Sequence, residues 1–350
     1  MSERVIDLRS DTVTLPTPEM RRAMHEAELG DDVFGEDPTV NRLEEMAAER
    51  LGKEAGLLVS SGTQGNLVGI LTHTHRGDEV ICGDACHVML YEVAGAAALG
   101  GLQLRPVPSQ RGRLDLSAVR ATIRGENVHY PKTGLLTIEN THNRHGGAAL
   151  GVEEMGALAD LAHAFDVAFH VDGARIFNAA VAHGVPVAAL VAQADSVTFC
   201  LSKGLSCPVG SVLCGSHEYI ARARKYRKMV GGGMRQAGII AAAGIVALET
   251  MVDRMAEDHE NAGILAEGLA RVPGLEVDLD SVVTNILIFR VKPEAMSADD
   301  LRARLWEQGV RCGSIGDSKI RMVTHYGITA ADVREAVRAA ERVMPAPVLR

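Results

Sequence analysis

Lys203 is the residue whose setting most asks for a chemical explanation. It stands in the stretch Thr198-Phe-Cys-Leu-Ser-Lys-Gly-Leu-Ser-Cys-Pro-Val-Gly-Ser211, and it is the one charge between Asp195 and Glu218, His217 aside. Lysine is seldom set among apolar residues without a partner or a task. Taken singly, it reads as a strand-end lysine reaching solvent. Thirty-one residues earlier, His170-Val-Asp-Gly-Ala-Arg175 puts a carboxylate, Asp172, and a guanidinium, Arg175, at the end of another apolar run. These two are either a structural ion pair or the binders of a cation and an anion. A third stretch, Ser60-Ser-Gly-Thr-Gln-Gly-Asn66, follows an apolar run and opens a helical pattern. A glycine-containing turn at a helix N-terminus offers free N–H groups and the positive end of the dipole to a phosphate. Alone it is also an ordinary turn. Together the three meet the needs of pyridoxal phosphate: an amine for a Schiff base, a carboxylate to keep the pyridine nitrogen protonated, and a phosphate cradle. The amine must be neutral to attack a carbonyl, and apolar surroundings favour that form.

The elements that must position these residues follow from the hydrophobic pattern. Seven short apolar runs read as strands: GLLVSS, EVICGD, LQLRPV, GLLTIEN, VAFHVD, SVTFCLS and GSVLCG. Helical patterns such as Val152 to Phe165 and Ile176 to His183 lie between several of them. Strands apolar on both faces and alternating with helices predict an α/β fold with a mostly parallel seven-stranded sheet, covered on both sides. In such sheets ligands bind at the carboxyl ends of the strands, where Asp172 and Lys203 fall. Gly204 is expected to let the chain turn away there. Near residue 236 the texture changes. Residues 236 to 270 read as one long helical region bent near Glu257 to Ala262, followed by strand candidates and helices of a smaller C-terminal α+β unit. The expected division is 1–245, an N-terminal arm and large domain, and 246–350, a small domain. The tail Pro345 to Arg350 is expected to be loose.

Composition sets the bounds. The chain has 350 residues, 47% hydrophobic and 23% charged, as expected of a soluble globular protein. A formal charge of −9 gives no general reason to bind nucleic acid or an anionic membrane surface. No signal core or membrane-spanning run is visible, and the six cysteines lie mostly in apolar strand-like contexts, which fits reduced thiols in a cytoplasmic protein. His73 and His75 read as surface histidines at a helix end, and Glu44, Glu45 and Glu49 as a solvated helix face. Cys82, Cys86 and His87 lack the spacing of a haem-attachment string, and no zinc ligand set is clear, so no metal is expected. No dinucleotide or P-loop glycine string occurs.

Several longer strings occur in order: Leu8-Arg-Ser-Asp-Thr-Val-Thr14, Gly30-Asp-Asp-Val-Phe-Gly-Glu-Asp-Pro38, Ser61-Gly-Thr63, Glu139-Asn-Thr-His142, His170 to Arg175, Ser202-Lys-Gly-Leu205 and Gly231-Gly-Gly-Met-Arg235. With these the chain resembles the L-threonine aldolases of the β-eliminating-lyase type, in the aspartate-aminotransferase-like group of pyridoxal-phosphate enzymes. The resemblance implies that Lys203 is the Schiff-base lysine and Asp172 the pyridine-nitrogen partner. It implies that Gly62 and Thr63 hold the phosphate and that His87 stacks on the cofactor ring. Ser10, Arg175 and Arg321 match residues that bind the substrate carboxylate, and Tyr91 an aromatic position near the neighbouring site. His87 and His129 are the candidates for the substrate hydroxyl proton. Lys228 and Arg235 match residues that reach a partner subunit's cofactor, which implies a homodimer or homotetramer with shared active sites. The chain departs from the family pattern at Phe34, where tyrosine is common, and at Cys86, where a small residue is usual.

The activity so implied is cleavage of L-threonine, L-allo-threonine or a related β-hydroxy-α-amino acid to glycine and an aldehyde. β-Elimination or racemisation on the same scaffold, and an inactive binding scaffold, are the alternatives.

Overall fold

All seven apolar runs become strands of one sheet in the computed structural model, which describes residues 5–344. They are β1 (Ala55–Val59), β2 (Glu79–Gly83), β3 (Gln103–Val107), β4 (Thr133–Glu139), β5 (Ala168–Asp172), β6 (Ser196–Cys200) and β7 (Ser211–Gly215), in the spatial order β1-β7-β6-β5-β4-β2-β3. The central pairs β3–β2, β2–β4, β4–β5 and β5–β6 are parallel, while β7 runs antiparallel to both β6 and β1. The exception has a local cause. No helical pattern separates β6 from β7, so the chain cannot cross over and must return as a hairpin. The stretch around Lys203 is that return.

Helices cover both faces of the sheet, and the core is aliphatic, with Phe177 and Phe199 packed edge to face at 5.2 Å. The helix Gly62–His73 lies against the sheet because its contact face is glycine. A Cβ on Gly65 would come within 2.5 Å of Thr198 Cγ2. This close seat brings the start of the helix to the carboxyl ends of β1 and β6.

A second, antiparallel sheet follows: β8 (Leu275–Glu276), β9 (Ile286–Val291), β10 (Gly313–Ile315) and β11 (Lys319–Val323), in the order β8-β9-β11-β10. With the helices Met255–Leu269, Ala298–Glu307 and Ala330–Val343 it builds a separate core, which also takes in Ile6 and Leu8 of the N-terminal arm. That arm pairs Ile6–Asp7 in parallel with Val310–Arg311 and then runs on toward Lys203. The expected division at residue 245 falls within the helix Gly238–Thr250, whose Ala241, Ala243, Ala247 and Leu248 belong to the first core.

The long helical region is two helices, Gly238–Thr250 and Met255–Leu269, and the break lies at 251–254 rather than at Glu257 to Ala262. Glu257 and Asp258 sit in the first turn of the second helix, where acidic groups suit the dipole, and Arg254 pairs with both. Glu44 also departs from expectation. It is buried, accepting the Leu58 N–H at 2.8 Å and pairing with Arg224 at 2.7 Å, so it ties its helix to β1 instead of facing solvent. His73 is turned inward as well, 2.7 Å from Ser196 Oγ and stacked on Tyr219, and burial pulls its pKa down to about 3. The six cysteines are all buried and unbridged. No helix among the described residues is long and apolar enough to cross a membrane. The tail Pro345 to Arg350 lies outside the described residues.

Candidate active site

A cavity of about 250 Å3 opens where the carboxyl ends of β4, β5 and β6 meet the start of the helix Gly62–His73. Its floor is acidic. Asp172 closes β5 and is the register partner of Glu139, which closes β4, so two buried carboxylates stand side by side. Asp172 accepts the Ala174 N–H at 3.1 Å and the Asn66 amide at 2.8 Å. Glu139 accepts the backbone N–H of His87 at 2.6 Å and that of Asn143 at 2.8 Å. Burial and the neighbouring Asp172 push the Glu139 carboxyl up to about 7. Glu92, also buried, accepts the other hydrogen of the Asn66 amide at 2.7 Å and lies 2.8 Å from His87 Nδ1. The hydrogen bond to Glu92 raises the pKa of His87. His87, Glu92 and Asp172 could be taken for three metal ligands, but the donor between the two carboxylates is already the Asn66 amide.

The opposite wall is cationic. Arg175 is buried and pairs with Asp11 through Nε and Nη2 at 2.6 and 2.7 Å. Burial favours the neutral acid, yet the guanidinium holds Asp11 well below the usual carboxylate range. Asp172 and Arg175 therefore do not pair with each other; the N-terminal arm supplies the counter-ion. Arg321, from β11, donates to the Arg9 carbonyl at 3.0 Å and the Asn143 amide oxygen at 2.8 Å, and its buried Nε has no partner among the described residues. Burial and the nearby Arg175 bring its pKa down to about 10. A guanidinium with a donor left over is equipped to take a carboxylate.

Lys203 stands between floor and wall. Its Nζ has no hydrogen-bond partner among the described residues, while its carbonyl is held by Thr14 Oγ1 at 3.1 Å and by the Ser206 N–H at 2.8 Å. The backbone is thus anchored and the amine is not. The turn here does not depend on Gly204; the left-handed positions are Ser206, at φ 62°, and Gly210, at φ 104°. At the start of the helix Gly62–His73, Ser61 Oγ accepts the Gln64 N–H, and Gly62 and Thr63, whose N–H groups precede the first intrahelical bond, line the cavity.

The structure brings together Ser10, Gly62, Thr63, His87, Asp172, Arg175, Lys203 and Arg321 around this cavity. Tyr91 lies beside it, its ring 5.4 Å from that of His87 and its hydroxyl accepting from Arg144. His129 is on an exposed loop, Lys228 is exposed, and Arg235 is bound to Asp31 at the surface; none of the three lines the cavity of this chain. Sequence reading assigned no role to Asp11, Asn66, Glu92, Glu139 or Asn143. Asn66, Glu139 and Asp11 lay inside quoted strings, where position in an ordered motif was the available signal. Glu92 had none. A wider hollow of about 710 Å3 lies at the amino ends of the strands, but its charges are used locally: Lys53 by the carbonyls of Val191 and Ala194, His163 by Asp195, and Arg222 by Glu218.

A family model described as beta-eliminating lyase matches residues 7–292. The chain is 45% identical to "Low-specificity L-threonine aldolase 1" of Arabidopsis thaliana over 98% of both chains. It is likewise 45% identical to the "Low specificity L-threonine aldolase" of Escherichia coli K12, over 95% of this chain and 97% of that one. The chain belongs to the beta-eliminating lyase family. The family and these relatives mark it as an enzyme of the lyase kind. Its fold is shared with a threonine aldolase structure from Leishmania major, with a TM-score of 0.84 and 18% identity over 97% of this chain and 99% of that one. A putative L-allo-threonine aldolase from Listeria monocytogenes superposes with a TM-score of 0.80 over 96% of each chain, at 18% identity.

Proposed function

We propose that the protein is a pyridoxal-phosphate-dependent aldolase that cleaves L-threonine, L-allo-threonine and related β-hydroxy-α-amino acids to glycine and an aldehyde. One observation carries the reading. A free lysine amine, a buried hydrogen-bonded carboxylate, free helix-start N–H groups and an unsatisfied guanidinium converge on one cavity, in a chain whose near full-length relatives bear the aldolase name.

The donor set fits the cofactor. Asp172 would hold the pyridine nitrogen, since an acidic floor needs a cation and a protonated ring supplies it. Gly62 and Thr63 would hold the phosphate, and Lys203 would be joined to the cofactor through its amine. When bound, pyridoxal phosphate takes up the electron pair released as the bond between Cα and Cβ breaks. The rest falls to this chain. Arg321, through its spare Nε, clamps the substrate carboxylate, with Ser10 beside it and Arg175 adding positive charge from behind. Arg175 is committed to Asp11 through two of its nitrogens, so Arg321 is the principal clamp. His87 lines the cavity and is placed to take the proton of the β-hydroxyl, and the carboxylate beside it favours the imidazolium that results. His129, Tyr91, Lys228 and Arg235 are assigned to a site completed by a second copy of the chain, because their exposed positions are available to a partner.

Product analysis tests the reading. With the cofactor supplied, L-threonine and L-allo-threonine are expected to yield glycine and acetaldehyde. Formation of pyruvate and ammonia from β-substituted amino acids without aldol cleavage would instead make the protein an eliminating lyase, and no turnover of either kind would leave a binding scaffold.

A further inference from the structure

The candidate base, His87, does not stand alone. Its backbone N–H is held by Glu139, and its side chain meets Glu92, a residue 5% exposed that no part of the reading above uses. We propose that Glu92 is the positioning residue of His87: it takes the hydrogen on Nδ1, so that Nε2 is the nitrogen that exchanges a proton with the substrate hydroxyl. This deepens the aldolase reading and rests on it.

The direction follows from the acceptor character of an ionised Glu92. Glu92 Oε1 already accepts one hydrogen of the Asn66 amide at 2.7 Å. His87 Nδ1 lies 2.8 Å from the same oxygen, and an ionised carboxylate can only accept there, so the ring donates its Nδ1 hydrogen. A neutral imidazole has one N–H, so with Nδ1 committed the lone pair is on Nε2. The second amide hydrogen of Asn66 goes to Asp172 at 2.8 Å, so Asn66 spans the two carboxylates and holds Glu92 in place. His87, Glu92, Asn66 and Asp172 form one continuous chain from the base to the carboxylate that would face the cofactor ring.

The backbone after Glu92 supports a positioned carboxylate. Val93 and Ala94 have φ of 51° and 54°, a region that non-glycine and above all β-branched residues rarely enter. Val93 is 93% exposed, so packing of its own side chain does not hold it there. The conformation reverses the chain directly behind Glu92. The groups that face His87 are Glu92 and Asp172, which favour its cation, Lys203, which opposes it, Glu139 at its backbone, and the ring of Tyr91. In the reaction the hydroxyl proton passes to Nε2, and the electron pair of that O–H bond remains with the oxygen that becomes the aldehyde carbonyl. The imidazolium so formed is offset by Glu92.

The test is nitrogen NMR of histidine-labelled protein, with His87→Asn used to assign the ring. In the cofactor-free protein, neutral His87 is expected as the Nδ1–H tautomer. In Glu92→Gln, which keeps the acceptor and loses the charge, its titration midpoint is expected to fall by about one pH unit. In the cofactor-loaded enzyme the acid limb of kcat/KM against pH should move to lower pH by a similar amount, and Glu92→Asp should restore part of the shift. A wild-type Nε2–H tautomer, or a midpoint and acid limb unmoved in Glu92→Gln, would overturn the proposal. Failure of the aldolase reading would show separately, as no glycine and aldehyde from the wild-type enzyme, whatever the NMR result.

Discussion

At the scale of the residue, the site separates charge into two layers. Asp172, Glu139 and Glu92 form the floor and Arg175 and Arg321 the wall, with Lys203 between them. Among the described residues only one of these cations is ion-paired: Arg175, by Asp11, through two of its three guanidinium nitrogens. The carboxyl of Glu139 is held above its usual range. Its ordinary pKa is 4.5 and burial beside Asp172 brings it to about 7, so between those values the folded chain keeps a proton that the unfolded chain releases. For an acid raised in this way, stability falls as pH rises through that window and the loss is complete above it. In Glu139→Gln this contribution is absent. Urea unfolding of cofactor-free protein at about pH 5 and about pH 8 should therefore show a smaller loss at the higher pH in the variant than in the wild type. An equal loss would mean that Glu139 is ionised throughout.

At the scale of the element, the helix Gly62–His73 is the part on which both fold and site depend. Its glycine contact face lets it lie on β1 and β6, and its first residues are the proposed phosphate cradle. Gly65→Ala would place a Cβ 2.5 Å from Thr198 Cγ2, and a strand side chain cannot yield that much, so the helix must lift. A cost of about 1–3 kcal/mol is expected in urea unfolding, together with weaker binding of pyridoxal phosphate. Unchanged binding would separate the helix seat from the cradle. The same elements show what was legible in sequence. Strands buried on both faces announce themselves as apolar runs, and all seven were readable, as were the polar residues at their ends. The antiparallel β7 was implicit in the missing helix between β6 and β7. The break at 251–254 was misplaced because Glu257 and Asp258 look like an interruption in an apolar pattern, although they suit a helix start. Glu44 and His73 were misread for a related reason: their burial depends on partners from distant segments, Arg224 and Ser196, which periodicity does not reveal. Glu92 was invisible for the same cause, since its partner Asn66, which also joins it to Asp172, meets it only in the folded chain.

At the scale of the whole molecule, one chain presents a cavity with its floor and carboxylate clamp, while His129, Lys228 and Arg235 face outward. Among large apolar side chains, Phe34, Val93 and Met229 are 72 to 93% exposed, Met229 next in sequence to Lys228. If Lys228 and Arg235 serve a partner's site, Lys203→Ala and the double variant Lys228→Ala/Arg235→Ala are each inactive, but mixed subunits regain one intact site per hybrid dimer. Equal mixing and reassembly should then recover about a quarter of wild-type activity. No recovery would place both residues with their own chain's site. The central claim, that Lys203 is the cofactor lysine, is tested most directly by adding pyridoxal phosphate to the purified protein, reducing with borohydride and locating the adduct by peptide mass spectrometry. The account predicts a visible absorption band on addition and a single modified residue, Lys203, with both absent in Lys203→Ala. An adduct on another lysine, or a band that survives in Lys203→Ala, would contradict it.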